Sequence, residues 1–295
     1  MARKTVVGLG ETLFDVFDNE RKIGGAPANY VWYATQLGCR GAAVSAVGND
    51  ELGNTLESTF TKRGLECILQ RTYKPTGTVQ VTLDAQGIPY YEIKEDVAWD
   101  YIKPEPRLLE LASKTDCVCF GSLAQRNAIS RNTMKEFLEA MHAGAMKVFD
   151  INLRQNFYSL ELIVRSLKLC NVLKINDEEF NAVSDMLNLS ESIRQKTSTL
   201  ISDYNLNALI LTCGDKGSYV FAPSSESSWI ETPKVNVVDT VGAGDSFAGA
   251  FCAAILDGKS ISQTRRMAVN VSAYVCAQSG AMPVLPQGIK DIDNQ

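Results

Sequence analysis

Short apolar runs rich in β-branched and small residues recur along the chain. They are KTVVGLG at 4–10, GAAVSAVG at 41–48, DCVCFGSL at 116–123, MKVFDINL at 146–153, NVLKIN at 171–176 and NALILTCG at 207–214. Their apolar residues follow one another without polar alternation, the pattern of strands covered on both faces. Segments with helical spacing lie between them. In SRNTMKEFLEAMHAG (130–144), Met134, Phe137, Leu138 and Met141 fall at i, i+3, i+4 and i+7, which predicts a helix with Ser130 as N-cap and Gly144 as its stop. Strands alternating with helices build βαβ units, so the chain reads as an α/β fold with a mostly parallel central sheet and helices on both faces. In such sheets ligands bind beyond the carboxyl ends of the strands. Those ends carry polar residues here: Glu11 and Asp15 after the first run, Asp150, Asn152 and Arg154 after the fourth, Asn176 and Glu179 after the fifth.

Two segments break this rhythm. TGTVQVTLDAQGIPYYEIKEDVAWDY (76–101) alternates apolar and polar residues around the turn DAQG and predicts an antiparallel hairpin with one wet face. FDVFDNERKIGG (14–25) reads as a second, shorter ribbon. Together they predict a small β-sheet apart from the main one, acting as a lid. No repeat or long linker divides the 295 residues, so the expectation is one domain over 1–295 with lid segments at about 14–25 and 76–101.

Composition narrows the partners. A net charge of -5 leaves no basic field to draw nucleic acid or an anionic membrane surface, which points to a small-molecule partner. No stretch approaches the roughly 20 apolar residues that span a bilayer, and MARKTVVGLG enters a strand without a signal-peptide core, so a cytoplasmic protein is expected. The 8 cysteines stand singly apart from Cys117 and Cys119, and read as buried thiols rather than metal ligands. His142 is the sole histidine, which removes Ser-His-Asp and Cys-His chemistry unless His142 itself serves.

The chemistry concentrates in DTVGAGDSFAGAF (239–251). Neither common nucleotide motif fits the chain: no G-x-x-x-x-G-K-[ST] occurs, and GLGETL lacks the third glycine of a dinucleotide fingerprint. Gly242, Ala243 and Gly244 can nevertheless turn their backbone amides to one point, at the positive end of a helix beginning near Asp245, and so form an anion hole. A carboxylate beside such a hole repels a resting phosphate, which suggests a task. Phosphoryl transfer needs a base for the attacking hydroxyl and donors for the charge spreading over the γ-phosphoryl group, and this turn offers both. Asp245 as a plain helix N-cap, with glycines that only close the turn, accounts for the residues as well. Phe247, Ala250, Phe251, Ala254 and Ile255 form the inner face of that helix on either reading.

These residues resemble the ribokinase-like (PfkB) family of carbohydrate kinases over essentially the whole chain. DTVGAGD is similar to its C-terminal signature, and GGAPANYVWYATQLG (24–38) to its N-terminal one. The resemblance implies a three-layer α/β/α fold with a small β-sheet lid, and transfer of the γ-phosphoryl group of ATP to a primary sugar hydroxyl. It implies Asp245 as general base, Gly242, Ala243 and Gly244 as anion hole, and Arg154, in FDINLR, as a charge on the transferring phosphate. Asp15, Gly24, Gly25 and Asn29 match the sugar-binding positions. Asn176 and Glu179 match the N-x-x-E motif associated with Mg2+ and phosphate. Thr212, Gly214 and Gly217, with Asn270, fall at nucleotide positions. Asp239 and Thr240 resemble a K+ site found in part of the family. Within it, GGAPAN, GETLFD and GSLAQR are most similar to fructokinases, with fructose 6-phosphate as product. Ribokinase and 2-keto-3-deoxygluconate kinase are the nearest alternatives, the latter through Arg126 and Lys94; a nucleoside kinase and a sugar sensor without turnover stand further off. An open lid sheet also implies a homodimer formed through the lid.

Overall fold

A computed structural model describes residues 3–17, 20–83, 89–223 and 225–290. The apolar runs form β1 (Thr5–Leu9), with β2 (Leu13–Val16), β3 (Arg21–Gly24) and α1 (Ala26–Gln36) following it. Next come β4 (Arg40–Gly48), α2 (Glu51–Lys62), β5 (Glu66–Thr72), β6 (Gly77–Leu83), β7 (Pro89–Ile93) and α3 (Pro106–Ser113). The middle of the chain holds β8 (Cys117–Phe120), α4 (Ala128–Ala140), β9 (Met146–Asp150), α5 (Leu160–Leu169), β10 (Val172–Asn176), α6 (Asp177–Met186) and α7 (Ile193–Tyr204). It closes with β11 (Ala208–Thr212), β12 (Ser218–Ala222), β13 (Ser225–Ile230), α8 (Ala243–Leu256), α9 (Ile261–Cys276) and α10 (Gln287–Lys290).

The main sheet has nine strands in the order β13-β12-β11-β10-β9-β8-β1-β4-β5. It is parallel from β11 to β5, and β12 and β13 add antiparallel at one edge. Successive strand residues feed opposite cores, which is why the runs read as continuously apolar. Val7, Val118, Phe149 and Leu173 enter one core with α3 to α7, while Val6, Cys117, Val148 and Val172 enter the other with α1, α2, α8 and α9. The result is three layers, α/β/α. Among the described residues no helix is long and apolar enough to cross a membrane. The cysteines are free, five of them buried, and His142 is exposed.

Both ribbons form as expected and join in a separate sheet ordered β3-β2-β6-β7. The expected DAQG turn lies outside the described residues. Val79, Val81 and Ile93 are buried on the sheet's inner face, and Thr78, Gln80, Thr82 and Glu92 alternate with them on the other face, which by register also carries Phe14, Val16, Ile23 and Tyr90. The expected lid segment runs too far, however. The second strand stops at Ile93, and Ala98–Tyr101 folds into a single 3-10 turn instead. Its Asp100 accepts from Arg126 Nε and Nη2, both at 2.8 Å, with both side chains buried. The guanidinium centre lies 3.9 Å from the Trp99 ring and 4.6 Å from that of Phe157. That charge pairs with Asp100 and fastens the small sheet's exit to the body, and Lys94 pairs with Glu92 on the surface.

The helix expected over 130–144 also shifts. It spans Ala128–Ala140, and Asn127, not Ser130, is its N-cap, accepting from Ile129 N at 2.9 Å. Ser130 lies inside the first turn, where its hydroxyl donates to Trp99 O (2.8 Å) and accepts from Ile102 N (2.9 Å). The helix stops where Met141 turns to an extended conformation, before Gly144 is reached. Met134, Phe137, Leu138 and Met141 are buried as the spacing predicts.

Removing one member of a buried ion pair strands the other charge. Asp100→Asn is therefore expected to lower unfolding stability by about 3–5 kcal/mol, and Asn127→Ala by about 1 kcal/mol through loss of the cap. Urea unfolding of the three proteins measures both, and equal midpoints for Asp100→Asn and wild type would refute the anchoring role.

Candidate active site

Strand β1 lies between β8 and β4. The chain builds one half of the sheet to one side of it through β4 and β5 and the other half later, on the opposite side, from β8, so the strand order reverses beside β1. Ligand crevices form at such reversals. A cavity of about 1330 Å³ opens there, roofed by the inner face of the small sheet through Leu13, Val79 and Ile93.

The sequence-derived residues converge on this cavity. Asp15, Gly24, Gly25, Asn29, Arg154, Asn176, Glu179, Thr212, Gly214, Gly217, Thr240 and the whole turn Gly242, Ala243, Gly244, Asp245 line it. Two do not. On α9 the wall is made by Val269, Ser272, Ala273 and Cys276, a single helical stripe at i, i+3, i+4 and i+7, and Asn270 sits about 100° around from its start. Asp239 is turned away and bound to its own loops: Oδ1 accepts from Val241 N and Oδ2 from Gly280 N, each at 3.0 Å.

Helix α8 starts at Ala243, two residues before the expected position, with Gly242 as an N-cap in the left-handed region (φ 80°). Glycine is required there sterically as well, since a Cβ would lie 2.7 Å from the Ala281 carbonyl oxygen. Asp245 is the third residue of the helix and makes no cap bond; its Oδ2 accepts from Asn29 Nδ2 at 2.8 Å. Burial pushes the Asp245 carboxyl above the ordinary range, opposed by that hydrogen bond and by the Lys174 and Arg154 charges. The Ala243 amide closes a turn onto Thr240 O at 3.2 Å, and no acceptor among the described residues reaches the Gly242 and Gly244 amides.

Lys174 is the residue sequence reading passed over. It faces Asp150 in register across β10 and β9, and Nζ donates to Asp150 Oδ1 at 2.9 Å with both side chains buried. A Cβ on Gly244 would lie 3.0 Å from Nζ, so the ammonium sits directly under the glycine turn. Burial presses it toward neutrality, but Asp150, Glu179 and Asp245 outweigh that and hold it charged. The signal was a lysine inside the otherwise apolar VLKI.

Asn176 and Glu179 form a capping box at the start of α6. Glu179 Oε2 accepts from Asn176 N (3.1 Å) and Oε1 from Leu153 N (3.0 Å), which ties α6 to the connection that carries Arg154. The Arg154 charge faces Glu11, Asp15, Asp150 and Asp245. Glu11 is 2% exposed, and burial pushes its carboxyl up to about 7, while Asp15 is pushed up to about 6, again by burial. Valines 235, 237 and 241 leave apolar surface exposed on the far rim. Among the described residues no group of three or more His, Cys, Asp or Glu is placed to hold a metal ion.

The family model described as "pfkB family carbohydrate kinase" matches residues 3–288. A probable fructokinase-3 of Arabidopsis thaliana is 29% identical over 283 residues, 90% of this chain and 81% of that protein. Two solved structures share the fold. A fructokinase from Xylella fastidiosa with bound ATP superposes with a TM-score of 0.86 at 21% identity, covering 100% of both chains. A fructokinase from Vibrio cholerae, in a form with bound fructose, ADP and calcium ion, gives 0.79 at 25% identity over 96% of each.

Glu11 takes up a proton more readily folded than unfolded, so folding stability falls as pH rises from about 4.5 to about 7. Glu11→Gln mimics the protonated form. It is expected to be more stable than wild type at pH 8 by up to about 3 kcal/mol, the gap closing toward pH 4.5. Urea midpoints at the two pH values decide this; a gap independent of pH would show that Glu11 keeps an ordinary carboxyl.

Proposed function

The chain belongs to the pfkB family of carbohydrate kinases, and from that premise we propose that it transfers the γ-phosphoryl group of ATP to the primary hydroxyl of fructose, giving fructose 6-phosphate and ADP. The observation that carries this reading is the pairing, in one turn, of the Asp245 carboxylate with the unengaged Gly242 and Gly244 amides, in a cavity shared with Asp15 and Asn29. Asp245 accepts the proton of the attacking hydroxyl as its oxygen bonds to phosphorus and the bond to the β-phosphate oxygen breaks. The amides, the α8 N-terminus and Lys174 face the charge that spreads over the transferred group, and Arg154 approaches it from the opposite wall. The glycine turn and Lys174 are fixed by packing and by the Asp150 pair before substrate arrives, so little reorganisation of that wall opposes the step.

Asp15, Asn29 and the Gly24 and Gly25 backbone bind the sugar through paired hydroxyl contacts. Burial raises the Asp245 carboxyl and so makes it a stronger base than a solvated aspartate, while the Asn29 amide and the Lys174 and Arg154 charges favour its ionised form. The nucleotide lies along Asn176, Thr212, Gly214 and Gly217, with its base against the exposed valines. Asn270, off that wall, has no direct part. Magnesium, when bound, would neutralise charge on the phosphates. It needs only one or two carboxylates beside phosphates and water, and Asp177 and Glu178 on the cavity wall fit that, whereas both Glu179 oxygens already accept amides. The Asp239 carboxylate is likewise occupied, so K+ dependence rests on carbonyl oxygens near Thr240. Fructose is preferred to 2-keto-3-deoxygluconate because Arg126 and Lys94 are engaged elsewhere. The protein works in the cytoplasm, and a second copy of the chain meets it through the small sheet, whose edges are open.

ADP release with Mg-ATP against fructose, ribose, 2-keto-3-deoxygluconate, adenosine and glucose, with and without K+, tests the reading. Turnover is expected on fructose foremost, and none on any sugar would overturn it. Asp245→Asn is expected to fold normally and to lose about 10²–10⁴ in kcat; a near wild-type rate would exclude it as base. Asp15→Ala should raise the fructose KM at least about tenfold, the loss expected for roughly one charged hydrogen bond, and leave the ATP KM nearly unchanged.

A further inference from the structure

The connection from β9 to α5 is held at four points on its body side. Ile151 N donates to Lys174 O (3.2 Å), Ser122 N to Ile151 O (3.2 Å), the Ser122 hydroxyl to Asn152 O (3.2 Å), and Leu153 N to Glu179 Oε1 (3.0 Å). Within it Asn152 (φ 50°) and Gln155 (φ 45°) both adopt the left-handed conformation. Asparagine tolerates that region, but a glutamine placed there asks for a tertiary reason, since glycine or asparagine would satisfy the backbone more easily.

The reason is at the other end of its side chain. Gln155 Nε2 donates at 2.8 Å to the carbonyl of Tyr91, a residue 64 positions away on β7 of the small sheet. Both residues line the cavity, one on its floor and one on its roof, and Arg154 is the residue between Gln155 and the body-side clamps. The bond lies at the exposed rim, so in the empty protein water competes for both partners and holds it weakly. A sugar bound beneath β7 displaces that water.

We propose that Gln155 is a positioning residue that latches strand β7 over the acceptor and, through the backbone it shares with Arg154, couples closure of the small sheet to placement of the Arg154 guanidinium. The strained backbone is what aims the carboxamide upward; the body-side clamps keep the strain from relaxing. Closure and charge placement then occur together, so phosphoryl transfer to water is suppressed while the acceptor is absent. The inference rests on the kinase reading for its catalytic consequence, but the latch itself is a structural claim.

The test compares wild type with Gln155→Ala and Gln155→Gly. Both variants lack the latch and are expected to show a fructose KM raised by about tenfold or more, as a loosened near-attack geometry does, an ATP KM within about twofold, and more sugar-independent ADP release relative to transfer. Amide hydrogen exchange across 89–93, in the presence of fructose and Mg-ADP, should be faster in both. Glycine relieves the left-handed strain and alanine does not, so Gln155→Gly should melt above Gln155→Ala while being equally defective, a split that a merely structural role does not produce. A fructose KM within about twofold of wild type together with unchanged exchange would overturn the latch. A wild type that phosphorylates no sugar instead removes the kinase premise. In that case exchange across 89–93 with Mg-ATP alone still decides: faster in the variants supports the latch, and identical in all three overturns it.

Discussion

The hydrogen bond from Asn29 to Asp245 joins residues 216 positions apart, and it exists because α1 and α8 pack at backbone distance. A Cβ on Gly249 would lie 2.5 Å from the Tyr30 carbonyl oxygen, so only glycine lets α8 approach α1 this closely. Tyr30, Tyr33 and Phe251, all essentially inaccessible to water, fill the core around that crossing. Tyr33 also donates to Ala281 O at 2.7 Å, and Ala281 is the residue against which Gly242 closes. The turn that carries Asp245 is thus fixed from two sides by one helix. Close packing of this kind resists gradual deformation, which is what a preorganised site needs.

Charge is distributed in the same economy of parts. Glu11, Asp15, Asp150 and Asp245 share one cavity with Lys174 and Arg154, and burial raises the carboxyls of all four. The buried cation is rigid, locked to Asp150 in register across two strands, and it underlies the glycine turn. The exposed cation sits on a connection whose position depends on Glu179 below and the small sheet above. One positive charge is therefore permanent and the other conditional, which places any control of the chemistry on Arg154. Glu179 contributes through its hold on Leu153 N.

Much of this was legible in the sequence. The doubly buried strands announced the main sheet, alternation in 76–93 announced the small one, and the two glycine-rich segments named the part of the cavity wall that holds Asn29 and Asp245. What escaped notice depended on partners distant in sequence. Lys174 was hidden because its counterion is set by strand register between β9 and β10. Arg126 looked free for a substrate carboxylate because nothing local links it to Asp100. Asp245 reads equally as cap or base in the sequence, and the cap reading falls because Gly242 takes the cap position. Ser130 was mistaken for a cap because a serine near a helix start usually is one, whereas here its hydroxyl serves the turn at 99–102. Asn270 fell outside the wall because one step along a helix turns a side chain by about 100°.

The central claim is spatial: the hydroxyl to be phosphorylated and the γ-phosphate meet between Asp245 and the Gly242–Gly244 turn. The most direct measurement is a crystal structure of the wild-type protein with fructose and a non-hydrolysable ATP analogue. The account predicts the primary hydroxyl oxygen within about 3 Å of an Asp245 carboxylate oxygen, with the γ-phosphate oxygens facing the Gly242 and Gly244 amides. A ternary complex in which the sugar's hydroxyls all lie beyond reach of Asp245, or the γ-phosphate lies away from that turn, would contradict it.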